Sequence, residues 1–226
     1  AVSLAAQTED AFSLDMGLSS PTAPEKSGDC TREQRACRAA PGGGSPAKAG
    51  NEVSEEEIAL VVAFLEGLAP PAGQSPNAKS ERGFVHFESL GCPACHRPSF
   101  ETPSRQQMPH LSQKTVRLFS DLLLHDMGHD LADGSAAETG PVGTAPVDAT
   151  AAATVREWRT APLWGLGTRL KEIASGRIDG LMHDGRARTI AEAVLWHGGE
   201  ATAARERYKS LPAAARLELE AFLGNL

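Results

Sequence analysis

The segment Cys92-Pro93-Ala94-Cys95-His96 places two thiols three positions apart and an imidazole directly after the second thiol. Thiols at this spacing can each add across a vinyl group of haem, and the adjacent imidazole can bind the iron as proximal ligand. The motif therefore predicts one covalent c-type haem, attached through Cys92 and Cys95 and ligated by His96. The alternative, a zinc site, would need a second pair of closely spaced ligands.

The other two cysteines, Cys30 and Cys37, lie far upstream of this motif. Covalent haem is attached outside the cytoplasm in bacteria, where disulfides also persist, so we expect a periplasmic or exported protein with a Cys30–Cys37 disulfide. A continuous helix would hold the two Cα atoms about 10 Å apart, beyond the roughly 7 Å limit for a bridge. Pairing therefore requires a break in any helix between them, and the alternative is two unpaired surface thiols.

Composition excludes several classes of protein. The chain has 226 residues, with 29 acidic against 22 basic side chains and a net charge of −7, which argues against a nucleic-acid partner. No run of 18 apolar residues is present, so no membrane span is predicted. The sequence begins with Ala and residues 1–11 lack the features of a signal peptide, from which we expect a processed or truncated N-terminus.

Hydrophobic periodicity and capping signals predict a mainly α-helical fold with long loops. The sequence divides into an irregular segment over 1–75, containing the disulfide and one helix, and a haem domain over 76–226. Helices are predicted over 55–68, 80–90, 113–124, 189–197, 200–209 and 215–226, and a Gly-, Ala-, Thr- and Pro-rich loop over 132–150. Ser54 with Glu57 and Thr189 with Glu192 have the spacing of capping boxes.

Five ordered motifs resemble one known family. They are Gly-Cys-Pro-Ala-Cys-His-Arg-Pro (91–98), Asp-Leu-Leu-Leu-His-Asp-Met-Gly (121–128), Glu-Trp-Arg-Thr-Ala-Pro-Leu-Trp-Gly-Leu-Gly (157–167), His-Asp-Gly-Arg-Ala-Arg-Thr-Ile (183–190) and Leu-Trp-His-Gly-Gly-Glu-Ala (195–201). From about Ala11 onward, the chain resembles the di-haem oxidoreductases, often labelled thiol oxidoreductase, which are similar to bacterial di-haem cytochrome c peroxidases and MauG-like enzymes. The resemblance implies a cytochrome c-like haem domain.

Such proteins normally carry two haems, each with its own pentapeptide, whereas this sequence has one. The chain resembles the C-terminal haem half, which implies that an N-terminal haem domain or a separate haem subunit is its partner. The expected function is electron transfer to or from that second haem and an electron donor or acceptor protein. Two alternatives are peroxidase-type catalysis at this haem and a binding module in which the haem is structural.

The sixth iron ligand is predicted to be His197. Its position near a helix end and before two glycines would let the imidazole approach a flat macrocycle without crowding. The resemblance also implies it, because the distal ligand lies on the helix after a His-x-Gly turn, here His183-Asp184-Gly185. Met127 is the alternative distal ligand, and a His197 cation stabilised by the helix C-terminus would need no iron.

Further polar residues have weaker predictions. His183 is a candidate for a supporting role in the haem pocket, oriented by Asp184, and Arg186 and Arg188 could pair with haem propionates or simply be solvated. His125 and His129, four residues apart, would aim at one zinc ion if they lay on a helix. Gly128 between them disfavours that helix.

Overall fold

A computed structural model describes residues 3–25, 27, 30–104, 108–132 and 155–226 of the chain. The chain forms two compact units, Ala1–Ala69 and Pro70–Leu226. Helices make up most of the regular structure, which confirms the mainly α-helical class. The functional division at residue 75 stays a prediction, and the predicted loop over 132–150 lies, apart from Ala132, outside the described residues.

The first unit is held by a disulfide and a well-capped helix. It contains α1 (Leu4–Asp10), a π-helical turn (Ala11–Asp15), α2 (Arg35–Arg38) and α3 (Glu55–Glu66). Cys30 and Cys37 form a disulfide with Cα atoms 5.9 Å apart. Cys30 precedes the start of α2, which gives the expected break in the helix.

The capping box predicted for α3 is present. The Ser54 hydroxyl accepts from the Glu57 amide at 3.2 Å, and the Glu57 carboxylate accepts from the Ser54 amide at 2.8 Å. The Glu57 carboxylate also pairs with Lys48 at 2.7 Å, and these bonds, led by the one to Lys48, lower the Glu57 pKa to about 2. The helix begins where the sequence predicts and ends at Glu66, two residues early.

The second unit contains the haem-binding motif and the remaining elements. The helices are α4 (Ala78–Leu90), α5 (Leu166–Ala174), α6 (Ile190–Trp196), α7 (Thr202–Ser210) and α8 (Ala213–Leu223), and the short strands are β1 (Phe100–Glu101), β2 (Thr115–Val116), β3 (Leu124–Asp126) and β4 (Glu157–Arg159). β1 pairs with β2 and β3 with β4, both antiparallel. Four of these helices match predicted ones, whereas α5 and the strands were not predicted.

The core of the second unit lies where α4 crosses α8. Phe87 is 1% exposed, and its ring lies 5.3 Å from that of Phe222 and 5.9 Å from that of Phe119. The helices approach closely because Gly83 has no side chain, since a Cβ there would lie 2.0 Å from the Glu218 carbonyl oxygen. Burial of these aromatic rings stabilises the crossing. It thereby fixes the orientation of α4, whose C-terminal end is followed directly by the cysteine motif.

The end of α4 sets the position of that motif. The helix ends at Leu90, and its C-cap residue Gly91 has a left-handed φ of +85°, which favours glycine. The Arg207 guanidinium on α7 donates to the last helical carbonyl, that of Leu90, at 2.5 and 2.8 Å. The guanidinium satisfies one of the carbonyls that a helix end leaves unpaired. Cys92 therefore follows a helix end that is capped by a side chain.

The helix predicted over 113–124 is wrong. Gln113, Phe119 and Leu122 have φ values of +50°, +54° and +62°, which are incompatible with a right-handed helix. The segment is an irregular loop whose backbone makes long-range bonds, such as that from the Asp121 amide to the Cys95 carbonyl at 2.8 Å. Apolar spacing alone cannot reveal these distant partners, so the pattern resembled a helix.

Within residues 3–25, 27, 30–104, 108–132 and 155–226, no helix has both the length and the apolar character needed to cross a bilayer. The longest, α4, has 13 residues, whereas a transmembrane helix needs about 20.

Replacing Gly83 with Ala should lower the free energy of unfolding by about 1 to 3 kcal/mol, because the new methyl group must push α4 and α8 apart. Val85→Ala is the matched control, since Val85 is on the same helix and 60% exposed, and it should change the free energy by less than about 0.5 kcal/mol. Denaturant unfolding measures both. Equal stability of the two variants would contradict the close crossing.

Candidate haem site

The two cysteines and the histidine of the pentapeptide lie on one tight turn. Residues Cys92–Ala94 form a 3₁₀ turn, and the amides of Cys95 and His96 both donate to the Cys92 carbonyl, at 3.3 and 2.9 Å. Both thiols are free and half-buried. Burial raises the pKa of the Cys92 thiol to about 11 and also raises that of Cys95, so both sulfurs are protonated at neutral pH.

The His96 imidazole is held in one tautomer. Its Nδ1 lies 3.0 Å from the Phe119 carbonyl oxygen, which can only accept, so Nδ1 carries the proton. The second nitrogen, Nε2, is then an unprotonated ligand atom. Burial lowers the His96 pKa to about 4 and keeps the ring neutral at pH 7, as metal binding requires.

The His197 imidazole is held in the same way as that of His96. It is the C-cap residue of α6, and its Nδ1 donates to the Ala193 carbonyl one turn earlier at 2.7 Å. Burial lowers its pKa, so this ring is also neutral with Nε2 as its ligand atom. The alternative of a histidine cation at the helix end is not supported by this environment.

The spacing of the two rings fits a single metal ion between them. Their centres lie 6.4 Å apart and their planes differ by 48°. Two imidazoles that coordinate one ion from opposite sides, each through a bond of about 2 Å, have ring centres about 6.3 Å apart. A carbonyl on each Nδ1 is also the usual partner that fixes the tautomer of a metal-binding histidine. The donor set therefore fits the iron of a haem.

Met127, the alternative distal ligand, lies beside the same segment. A Cβ on Gly198 would be 2.6 Å from the Met127 carbonyl oxygen, and a Cβ on Gly199 would be 2.0 Å from that of Asp126. Glycines at these positions let the two backbones touch, so His197 and Met127 are brought together. The His197 ring is the one that lies near His96, with ring centres 6.4 Å apart.

Three of the remaining predicted pocket residues, His183, Asp184 and Arg186, lie together. The His183 ring stacks on Trp158, with centres 3.6 Å apart and planes within 11°. Asp184 lies 4.0 Å from His183 but pairs more closely with Arg186, at 2.5 Å. The Arg186 guanidinium also lies 4.7 Å from the centre of the Trp196 ring. The stacking of His183 had no signal in the sequence.

Arg188 shows how the helix that carries His197 begins. The Thr189 hydroxyl accepts from the Glu192 amide at 3.1 Å, as its capping signal predicts. The Glu192 carboxylate accepts from the amide of Arg188 at 2.7 Å, one residue before the cap. The reciprocal half of the predicted box is thus displaced, and the start of α6 is still fixed on both sides.

Sequence reasoning missed the role of His125. His125 is on β3 and His129 begins a 3₁₀ turn, so the two do not share a helix, in agreement with the sequence argument against a zinc pair. The His125 ring instead lies between two carboxylates, with Nε2 2.8 Å from Asp121 and Nδ1 2.9 Å from Glu200. Glu200 is 75 positions away, and no local pattern could have indicated it.

Comparisons with known proteins identify the family of the chain. The family model described as "Di-haem oxidoreductase, putative peroxidase" matches residues 1–226. No protein with a curated description matches the chain. A solved structure of Kuenenia stuttgartiensis hydrazine synthase under xenon pressure has 19% identity and a TM-score of 0.43, with 79% of this chain and 57% of that chain covered. That likeness is too low to carry an argument, and this chain spans about 57% of the other. The match over its full length shows that the chain belongs to the di-haem oxidoreductase family.

Proposed function

We propose that the second unit is a c-type haem domain that transfers electrons. Cys92 and Cys95 would tether the haem, and His96 and His197 would be its two axial ligands. The observation that carries this proposal is the pair of neutral imidazoles with centres 6.4 Å apart. Their Nδ1–H groups donate hydrogen bonds to the carbonyls of Phe119 and Ala193, so both Nε2 atoms would be available to bind iron.

The two histidines favour electron transfer over catalysis at this haem. The haem would supply one-electron redox chemistry when bound. Because His96 and His197 would fill both axial positions, peroxide would find no vacant coordination site. The backbone bonds to both Nδ1 atoms resist ring rotation, so each imidazole would keep its place while the charge of the iron changes. A relay role follows for this haem.

The partner of this relay would be a second haem. The family is di-haem, whereas this sequence has one Cys-x-x-Cys-His motif, at Cys92 to His96. We therefore propose an N-terminal haem domain or a separate haem subunit as the immediate partner, and an electron donor or acceptor protein beyond it. A periplasmic or exported location is supported by the Cys30–Cys37 disulfide, which needs an oxidising compartment.

A second candidate function is peroxidase chemistry at this haem. The description of the family favours it, since peroxidase activity is named there. It would require the bond from His197 to be weak or absent, so that the sixth position could open. His197 is the C-cap residue of α6 and precedes two glycines, which is where a change in ligation would be accommodated most easily.

Changing both Cys92 and Cys95 to Ser should abolish the covalent haem adduct, since no cysteine sulfur would remain in the motif to form a thioether bond. The parent chain, matured in a host competent for c-type haem attachment, should carry one haem by intact-mass measurement. The Cys30→Ser, Cys37→Ser double variant is the control and should keep its haem. A parent chain without any adduct would contradict the attachment site.

His197→Ala should convert the ferric spectrum from low-spin to high-spin, because the sixth ligand is lost. Met127→Leu, which keeps the volume of the side chain, should leave the spectrum unchanged. Optical and electron paramagnetic resonance spectra at neutral pH report both. The reverse pattern, with Met127→Leu altered and His197→Ala unchanged, would replace His197 by Met127 as the distal ligand.

The parent protein should be insensitive to peroxide and should bind cyanide slowly, since either must displace His197. His197→Ala should bind cyanide at least about 100-fold faster, equivalent to about 3 kcal/mol in the barrier. Stopped-flow absorbance measures the rates. A parent protein that already has a high-spin band and reacts rapidly with peroxide would favour catalysis at this haem.

A further inference from the structure

The His125 ring lies between two carboxylates, those of Asp121 and Glu200. Its Nε2 is bonded to Asp121 at 2.8 Å and its Nδ1 to Glu200 at 2.9 Å. Carboxylates are acceptors at neutral pH, so both ring nitrogens donate and the ring is an imidazolium. The bond to Glu200 raises the His125 pKa most. Burial opposes this shift, and the bond to Asp121 adds to it.

Asp121 belongs to the proximal side of the site. Its amide donates to the Cys95 carbonyl at 2.8 Å, and the neighbouring Ser120 amide donates to the Arg97 carbonyl at 3.0 Å. The carbonyl of Phe119, two residues earlier, accepts from His96 Nδ1. The segment Phe119–Asp121 is therefore hydrogen-bonded to the residues before and after His96 and to the His96 ring itself.

Glu200 belongs to the distal side. It follows His197 by three residues, in the 3₁₀ turn Gly199–Ala201. Its second carboxylate oxygen accepts from the Asp126 amide at 2.9 Å, so one carboxylate holds both β3 and the His125 ring. The close contact of Gly199 with the Asp126 carbonyl brings the distal turn against the residue after His125.

From these contacts we propose that His125 is a positioning residue, an imidazolium clamp that joins the proximal segment at Asp121 to the distal turn at Glu200 and so holds His197 opposite His96. The inference rests on the proposed axial ligation by the two histidines. An imidazole suits the task because its two donors diverge from a rigid ring, whereas a lysine ammonium has a flexible stem.

The two halves of the clamp differ in exposure. The side chains of His125 and Asp121 are 16% and 13% exposed, whereas that of Glu200 is 56% exposed. The bond between His125 and Asp121 is therefore shielded from solvent. Water can compete with the bond between His125 and Glu200. Loss of either bond should let the distal turn, and with it His197, move away from the iron.

His125→Phe and Glu200→Gln test the clamp in the haem-loaded full chain. Phe keeps a ring but donates no hydrogen bond, and Gln changes a carboxylate on the surface, so Glu200→Gln decides the test if His125→Phe fails to fold. Both variants should retain covalent haem by intact mass. Both should gain a ferric high-spin band and bind added imidazole at least tenfold faster than the parent, with His125→Phe changed more. Saturating imidazole should restore the low-spin spectrum.

The matched control is His86→Phe. His86 on α4 also pairs with a carboxylate, that of Glu218 on α8 at 3.0 Å, but joins two core helices rather than the axial segments. This variant should lower the thermal midpoint without a change in spin state or imidazole binding. A loss of low-spin haem that tracked the thermal midpoint equally in His86→Phe and His125→Phe would overturn the clamp, because general destabilisation would explain both.

His197→Ala separates failure of the clamp from failure of the ligand assignment. If His197→Ala becomes high-spin while His125→Phe and Glu200→Gln keep the parent spectrum and imidazole rate, the assignment stands and the clamp is wrong. If His197→Ala keeps the parent spectrum, the ligand assignment itself is wrong, and the clamp is overturned with it.

Discussion

The site depends on two hydrogen bonds from imidazole Nδ1 atoms to backbone carbonyls. His96 donates to Phe119 and His197 to Ala193, and each bond fixes both the tautomer and the rotation of a ring. A carbonyl can only accept, so neither ring can reverse its tautomer without losing the bond. The surrounding fold places these carbonyls, through the helical turn before His197 and the irregular loop that contains Phe119.

That irregular loop explains why the α4–α8 crossing matters for chemistry. Phe119 packs its ring on Phe87 in the core while its carbonyl faces His96. A positive φ at Phe119 costs about 1 to 3 kcal/mol and persists when surrounding contacts determine it. The same residue therefore links the hydrophobic core to the orientation of the His96 ring, and the core stabilises the strained backbone.

Local signals in the sequence predicted the parts of the fold that depend on near neighbours. The capping box at Ser54 and the Thr189 cap mark helix starts correctly, since their partners lie three residues away. The loop after Gln113 could not be predicted, because its hydrogen-bond partners, such as the Cys95 carbonyl, lie far away in the sequence. The pairing of His125 with two carboxylates was missed for the same reason, as its second carboxylate comes from a turn 75 residues later.

The proposed function requires that two nitrogen ligands from the chain bind one iron. X-ray absorption at the iron edge of the haem-loaded protein measures this ligation. We expect six nitrogen neighbours at about 2 Å, four from the porphyrin and two from His96 and His197. A sulfur neighbour at about 2.3 Å, as Met127 would give, or a shell of five ligands, would contradict it.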